Sequence, residues 1–201
     1  MMMKISWEKL EHEWRKELLS QANGDVLEIG VGVGDNFKYY PAGVNITATD
    51  MSARIIEQAR AEAKTRGVNA AFHICTVEGV ELQDRTFDTI VSTFSLSGCD
   101  DPLQILKQFN KWCKPDGTIL LLEYGLSRYQ LISWIQRKWD NYHYKKTGNH
   151  LNLDMLSLIV DSNLRVKKIE VKYAGIIYLV WAALRPITKS ELENNFLKNT
   201  G

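Results

Sequence analysis

Apolar side chains at Trp7, Leu10, Trp14 and Leu18 recur at steps of three and four, which predicts an N-terminal helix over about residues 5–20 with one apolar stripe and a charged remainder. Asn23-Gly24 ends that pattern. The next run, Asp25-Val26-Leu27-Glu28-Ile29, reads as a short buried strand that leads straight into a glycine loop. From there strand and helix periods alternate. Strands are predicted at 45–49, 70–75, 87–93 and 118–122. Between them lie a helix capped by Ser52, with Ile55, Ile56, Ala59 and Ala63 on its inner face, and a helix opened by Asp101-Pro102, with Ile105, Leu106, Phe109, Trp112 and Cys113 inward. Pro115-Asp116-Gly117 supplies the turn into the fifth strand. A helical insert at about 126–150, a helix at 152–160 and strands at 166–171 and 176–184 complete the pattern. Only Tyr173-Ala174-Gly175 separates the last two strands, so they should pair antiparallel.

This alternation predicts right-handed crossovers and a sheet covered on both faces. The expected fold is α/β: one doubly wound, Rossmann-like domain over residues 1–201, with a mostly parallel seven-stranded sheet and an antiparallel final strand. A chain of 201 residues can bury roughly 70% of its unfolded surface in one core, and no repeat or linker divides it.

The segment Glu28-Ile29-Gly30-Val31-Gly32-Val33-Gly34 ends the first strand and opens toward a helix, where open α/β sheets bind ligands. Glycines there let the backbone come close to a ligand. Asp50 ends the second strand about 20 residues on, where a carboxylate can accept both hydroxyls of a ribose. A dinucleotide fingerprint needs a third small residue at position 35; this chain has Asp35, which would face a pyrophosphate. S-adenosylmethionine carries no phosphate, and Glu28 with Asp35 would favour its sulfonium and ammonium charges.

Charge narrows the partners. With 25 basic and 24 acidic side chains the net charge is +1, which gives no broad field for a phosphate backbone, so nucleic acid is not an expected partner. Cys75, Cys99 and Cys113 are odd in number and lack CxxC spacing, so neither a disulfide framework nor a zinc site is indicated and a reducing, cytoplasmic compartment is expected. No run approaches the ~20 apolar residues needed to span a bilayer, so any membrane contact would be peripheral.

The glycine loop, Asp35-Asn36 with Tyr40-Pro41, Thr47-Ala48-Thr49-Asp50-Met51-Ser52, Phe87-Asp88-Thr89-Ile90-Val91-Ser92-Thr93 and Lys114-Pro115-Asp116-Gly117 together resemble the class I S-adenosylmethionine-dependent methyltransferases over roughly residues 25–125. Within that family, the Asn36-to-Pro41 run and Gly148-Asn149-His150-Leu151-Asn152-Leu153-Asp154 are similar to the short enzymes acting on alkyl thiols, phospholipid head groups or quinone precursors. The resemblance implies that Gly30, Gly32 and Gly34 pass under the methionine part, Asp50 holds the ribose and Met51 packs on adenine, with S-adenosylhomocysteine as product. The candidate donor set also takes in Glu28, Asn36, Thr76, Val77, Glu78, Thr93 and Ser95. Two departures stand out. Relatives often carry an acidic and then a small residue after the third strand, whereas this chain has Thr76-Val77 before Glu78; where relatives often show histidine after the fifth strand, it has Tyr124.

Methyl transfer to a small, lipophilic acceptor such as a thiol is the activity this implies. The alternatives are phospholipid or quinone-precursor methylation at a membrane surface, and donor binding without turnover by a regulatory protein. Displacement at a sulfonium needs chiefly a positioned lone pair. Ser95, Ser97 and Cys99 after the fourth strand are acceptor-site candidates, and Tyr124 and His150 are the catalytic candidates, although a lone histidine or cysteine also serves structural ends. In the insert, Leu131, Ile135, Trp139 and Tyr142 form one stripe, while Arg128, Arg137, Lys138, Lys145 and Lys146 add positive charge. That helix over 128–146 is either a lid whose stripe completes the core or a peripheral membrane contact, and both readings set it over the acceptor pocket, opposite Trp7 and Trp14. The sequence leaves the oligomeric state open.

Overall fold

In the computed structural model, which describes residues 6–76, 79 and 82–185, the apolar runs form strands β1 (Asp25–Ile29), β2 (Asn45–Asp50), β3 (Ala70–Ile74), β4 (Phe87–Thr93), β5 (Cys113–Tyr124), β6 (Leu164–Lys172) and β7 (Ile177–Leu184). They make one sheet in the order β3-β2-β1-β4-β5-β7-β6. The pairs from β3 to β5 are parallel, and β7 runs antiparallel to both its neighbours. This is the expected architecture.

Successive strand residues point to opposite faces, which explains the continuous apolar runs. Val26, Val91, Leu120, Leu122 and Leu179 pack with helices α1 (Trp7–Leu19) and α2 (Ala53–Arg66) on one face. Leu27, Ile90, Ile119, Leu121 and Val180 pack with α3 (Pro102–Trp112) and α5 (Met155–Asp161) on the other. Polar caps set the helix starts: Ser52 Oγ accepts from the Ile55 amide, and Asp101 Oδ1 from that of Gln104 at 2.9 Å, with Pro102 in the first turn. The strand order reverses at β1, whose neighbours are β2 and β4, so the carboxyl ends of these strands flank a crevice.

Three elements depart from the sequence pattern. β5 begins at Cys113, and Pro115-Asp116-Gly117 is a bulge within it, because the register jumps from Phe87 opposite Cys113 to Thr89 opposite Thr118. α5 starts at Met155, where Asp154 caps the Ser157 amide at 3.2 Å. The third departure concerns the insert, helix α4 (Gln130–Thr147). Its stripe does not complete the core: Leu131 is 71% exposed, Ile135 44%, Trp139 60% and Tyr142 64%. The side chains it buries are Gln136 and Asp140, whose hydrogen bonds to neighbouring loops hold the helix down. No helix among the described residues is long and apolar enough to cross a membrane.

Candidate active site

The loop after β1 needs glycine for two different reasons. Gly30 has φ +66°, and a Cβ there would lie 2.5 Å from Ser95 Cβ, so the loop presses against the end of β4. Gly32 also has positive φ, at +56°, yet a Cβ would meet nothing within 4 Å. It borders open space. The Gly32 amide donates to Asp50 Oδ2 at 3.2 Å and the Ser52 amide to Asp50 Oδ1 at 3.0 Å, so the β2 carboxylate is clamped against the loop at the crevice edge.

Beneath the loop lies a buried polar row. Glu28 is fully buried and accepts from Asn36 Nδ2 at 2.7 Å and the Tyr40 hydroxyl at 2.9 Å. Burial pushes its carboxyl up to about 7, outweighing the stabilising bonds from Asn36 and Tyr40 and the Arg15 charge. Asn36 passes the row on: its Oδ1 accepts from Arg15 Nη1 at 2.5 Å, and its Nδ2 also reaches Thr93 Oγ1 at 3.0 Å. Arg15 Nη1 donates to Thr93 Oγ1 at 3.1 Å as well, and Arg15 pairs with Glu11 at 2.6 Å.

A second buried carboxylate fixes the opposite wall. Glu123, near the end of β5, accepts from Ser92 Oγ at 2.6 Å and from the Ser95 and Leu96 amides at 3.3 Å. Desolvation raises it, too, to about 7. The bonds to Ser95 and Leu96 hold the turn after β4. Phe94 in that turn adopts φ +53°, uncommon for a bulky residue, and its amide donates to Leu122 O at 2.8 Å. Its ring thereby meets Tyr124, centroids 4.5 Å apart, and the Arg15 guanidinium lies 5.3 Å above it. Trp7 of α1 stacks on Tyr124 at 6.4 Å and meets Trp14 edge-on at 5.5 Å.

The cleft between these walls holds about 360 Å³. Seven of the sequence-predicted donor-binding residues line it, Gly30, Gly32, Asp50, Met51, Thr76, Thr93 and Ser95, together with the acceptor-site candidate Cys99. Glu28, Gly34 and Asn36 lie beneath or behind it; the Gly34 requirement is local, since a Cβ there would strike the Phe37 ring at 2.6 Å. Val77 and Glu78 fall outside the described residues. Tyr124 stands beside the cleft next to Phe94, with its hydroxyl pushed up by burial and by the Glu11 charge, so it stays protonated as a donor at neutral pH. His150 lines a neighbouring cleft that shares Cys99; its Nδ1 lies 2.9 Å from Asp140 Oδ2 and its ring stacks on Tyr144. The wall of this donor cleft includes Asn149, just past α4, but no residue of Gln130–Thr147.

Arg15 and Phe94 are lining residues that the sequence pattern passed over, and Arg15 is the charged one. In a run reading Glu11-His12-Glu13-Trp14-Arg15-Lys16 its charge suggests a solvated face, yet it follows Glu11 by four and precedes Leu18 by three, on the buried stripe. Arg15→Ala would leave the Asn36 amide oxygen without its cationic donor. It is expected to weaken nucleoside binding about fivefold, a loss on the order of 1 kcal/mol. Isothermal titration calorimetry checks this, and an unchanged affinity would remove Arg15 from the site.

Residues 27–121 match the family model of the methyltransferase domain. The chain is 29% identical to Methyltransferase OMS1, mitochondrial, of Saccharomyces cerevisiae, over 92% of this chain and 43% of that protein. It is 30% identical to a ubiquinone/menaquinone biosynthesis C-methyltransferase of Bdellovibrio bacteriovorus (58% and 52% covered) and 27% identical to a phosphatidylethanolamine N-methyltransferase of Cereibacter sphaeroides (60% and 62%). The chain thus spans about half the length of the curated relatives it matches. Among solved structures, the geranyl diphosphate C-methyltransferase of Streptomyces coelicolor, crystallised with S-adenosyl-L-homocysteine, shares the fold with TM-score 0.67 at 12% identity, over 89% of this chain and 81% of that one.

Proposed function

Since the chain belongs to the methyltransferase domain family, we propose that it is an S-adenosylmethionine-dependent enzyme that methylates a small, lipophilic acceptor with a planar ring, of the quinone-precursor type. The residues present fit the donor: an open-faced glycine at Gly32 beside a clamped carboxylate at Asp50, with Met51 exposed on the same rim. When bound, the donor supplies an electrophilic methyl group on a positively charged sulfur. Asp50 accepts the ribose hydroxyls, Gly30 and Gly32 allow the backbone to approach, and Thr93 and Ser95 border the tail. Glu28 acts from below as a positioning residue, holding Asn36 and Tyr40.

The observation that carries the acceptor reading is the aromatic wall of Phe94, Tyr124 and Trp7, which joins the donor cleft at Phe94. Flat side chains of this kind select a flat partner by offset or edge contacts. The protonated Tyr124 hydroxyl donates to an acceptor oxygen and so orients the ring; this chain supplies positioning there rather than a base. His150, turned to the neighbouring cleft, is assigned no proton transfer.

The alkyl-thiol expectation is not carried forward, because the two relatives named for an acceptor class act by their names on a quinone precursor and a phospholipid amine. The phospholipid reading keeps one specific support: aromatic faces also hold ammonium groups. Cys75 and Cys113 are free thiols, and a reducing, cytoplasmic setting belongs to the proposal. Incubation with labelled donor and either a short-chain demethylated quinol or ethanolamine phospholipid separates the readings. Label is expected on the ring. Label on the amine alone replaces the ring reading, and no label on either, with S-adenosylhomocysteine still bound, points to a donor-binding regulatory protein.

A further inference from the structure

We propose that the outer face of α4 is a docking surface for an anionic lipid bilayer. The helix is inverted relative to a water-facing one. Its inner side is polar: Gln136 Nε2 donates to Gly125 O at 3.0 Å and to Leu151 O at 2.9 Å, Gln136 Oε1 accepts from the Ser127 amide at 2.8 Å, and Asp140 Oδ1 accepts from the Leu151 amide at 2.6 Å. Its outer side carries Leu131, Trp134, Ile135, Trp139 and Tyr142, all exposed, with Trp139 and Tyr142 edge-to-face at 6.1 Å. From Leu131 to Tyr142 this strip runs for roughly 16 Å along the helix. A contiguous apolar strip of that length, two tryptophans included, marks a surface that is covered in use.

Charge identifies the cover. Arg128, Arg137, Lys138, Lys145 and Lys146 are exposed around the strip, and the one carboxylate on the helix, Asp140, is buried and bonded inward. Five cations concentrated here stand out on a chain whose net charge is +1. Lys138 Nζ lies 6.0 Å from the Trp134 ring and Arg128 5.5 Å from that of Tyr129, so long basic stems border aromatic rings, as at a lipid–water boundary. Anionic head groups would meet the cations while tryptophan, leucine and isoleucine enter the acyl boundary.

The inner hydrogen bonds tie α4 to the carboxyl end of β5, and the His150 amide just beyond it bonds Ser97 O at 2.8 Å. Docking therefore holds the ends of β4 and β5 near the lipid, which suits the lipophilic acceptor proposed above; the docking itself does not rest on that reading.

Sedimentation with vesicles tests it without turnover. The protein is expected to pellet with phosphatidylcholine vesicles containing phosphatidylglycerol, to stay in the supernatant with phosphatidylcholine alone, and to be partly released by salt. The triple variants Leu131→Ser/Trp134→Ser/Trp139→Ser and Lys138→Glu/Lys145→Glu/Lys146→Glu should each lower binding about tenfold. Both should still bind S-adenosylhomocysteine like the parent, which shows that they fold. Absence of binding to the anionic vesicles overturns the proposal, as does undiminished binding by either folded variant. So does a concentration-dependent dimer, seen by ultracentrifugation and abolished by the apolar variant, in a protein that ignores vesicles: the cover is then a second copy of this chain.

Discussion

Asp50→Ala is expected to weaken S-adenosylhomocysteine binding about 100-fold, the largest loss at any single position in the cleft, since two hydrogen bonds to a charged group are together worth about 3 kcal/mol. The carboxylate sits at the tip of β2 with one lone pair of each oxygen taken by the Gly32 and Ser52 amides, which fixes its plane and leaves the outer lone pairs for two vicinal hydroxyls. Removing it also frees the glycine-loop amide that borders the open space. Asp50→Asn keeps one carbonyl acceptor and a similar shape, so its loss should be smaller, near tenfold. Calorimetry on variants whose circular dichroism matches the parent reads both. An unaltered affinity in a folded Asp50→Ala protein would mean that the ribose lies elsewhere.

The strands, their order and the glycine-loop rim were legible because local rules govern them. Apolar runs such as 118–122 are buried on both sides where helices cover both faces of the sheet, and Ser52 and Asp101 mark helix starts by their chemistry. The α4 surface was legible as a stripe but not by its direction: periodicity reports that Leu131, Ile135, Trp139 and Tyr142 share a face, and only tertiary hydrogen bonds from Gln136 and Asp140 decide that this face points out. Arg15 stayed hidden for a related reason. Its partners Asn36 and Thr93 are 21 and 78 residues away, and such pairings leave no local pattern. Phe94 likewise owes its place to a backbone angle that no spacing records.

The two carboxyls buried on either side of the cleft should make the protein lose stability as pH rises. Glu28 and Glu123 sit at about 7 in the folded chain against 4.5 for an unperturbed glutamate, in each case chiefly through desolvation. Between those values the folded protein keeps protons that the unfolded chain has released, so unfolding becomes easier with each step up in pH; below about 4.5 the full contribution is present, and above about 7 it is gone. Each group is worth on the order of 3 kcal/mol across that window. Urea midpoints measured from pH 5 to pH 8 should therefore fall. Glu28→Gln is the variant to set beside the parent, because the Tyr40 hydroxyl can turn to accept from the new amide while Asn36 still donates to its oxygen. Glu123 offers no such exchange, since each of its two oxygens accepts from a backbone amide, that of Ser95 or of Leu96, which cannot turn to accept. The slope in Glu28→Gln should be about half that of the parent; an equal slope would mean that Glu28 is ionised in the folded chain. A positively charged donor above Glu28 favours the ionised carboxyl, so donor binding near neutral pH should expel a proton, and the heat of binding should depend on the ionisation enthalpy of the buffer more strongly in the parent than in Glu28→Gln, where only Glu123 remains.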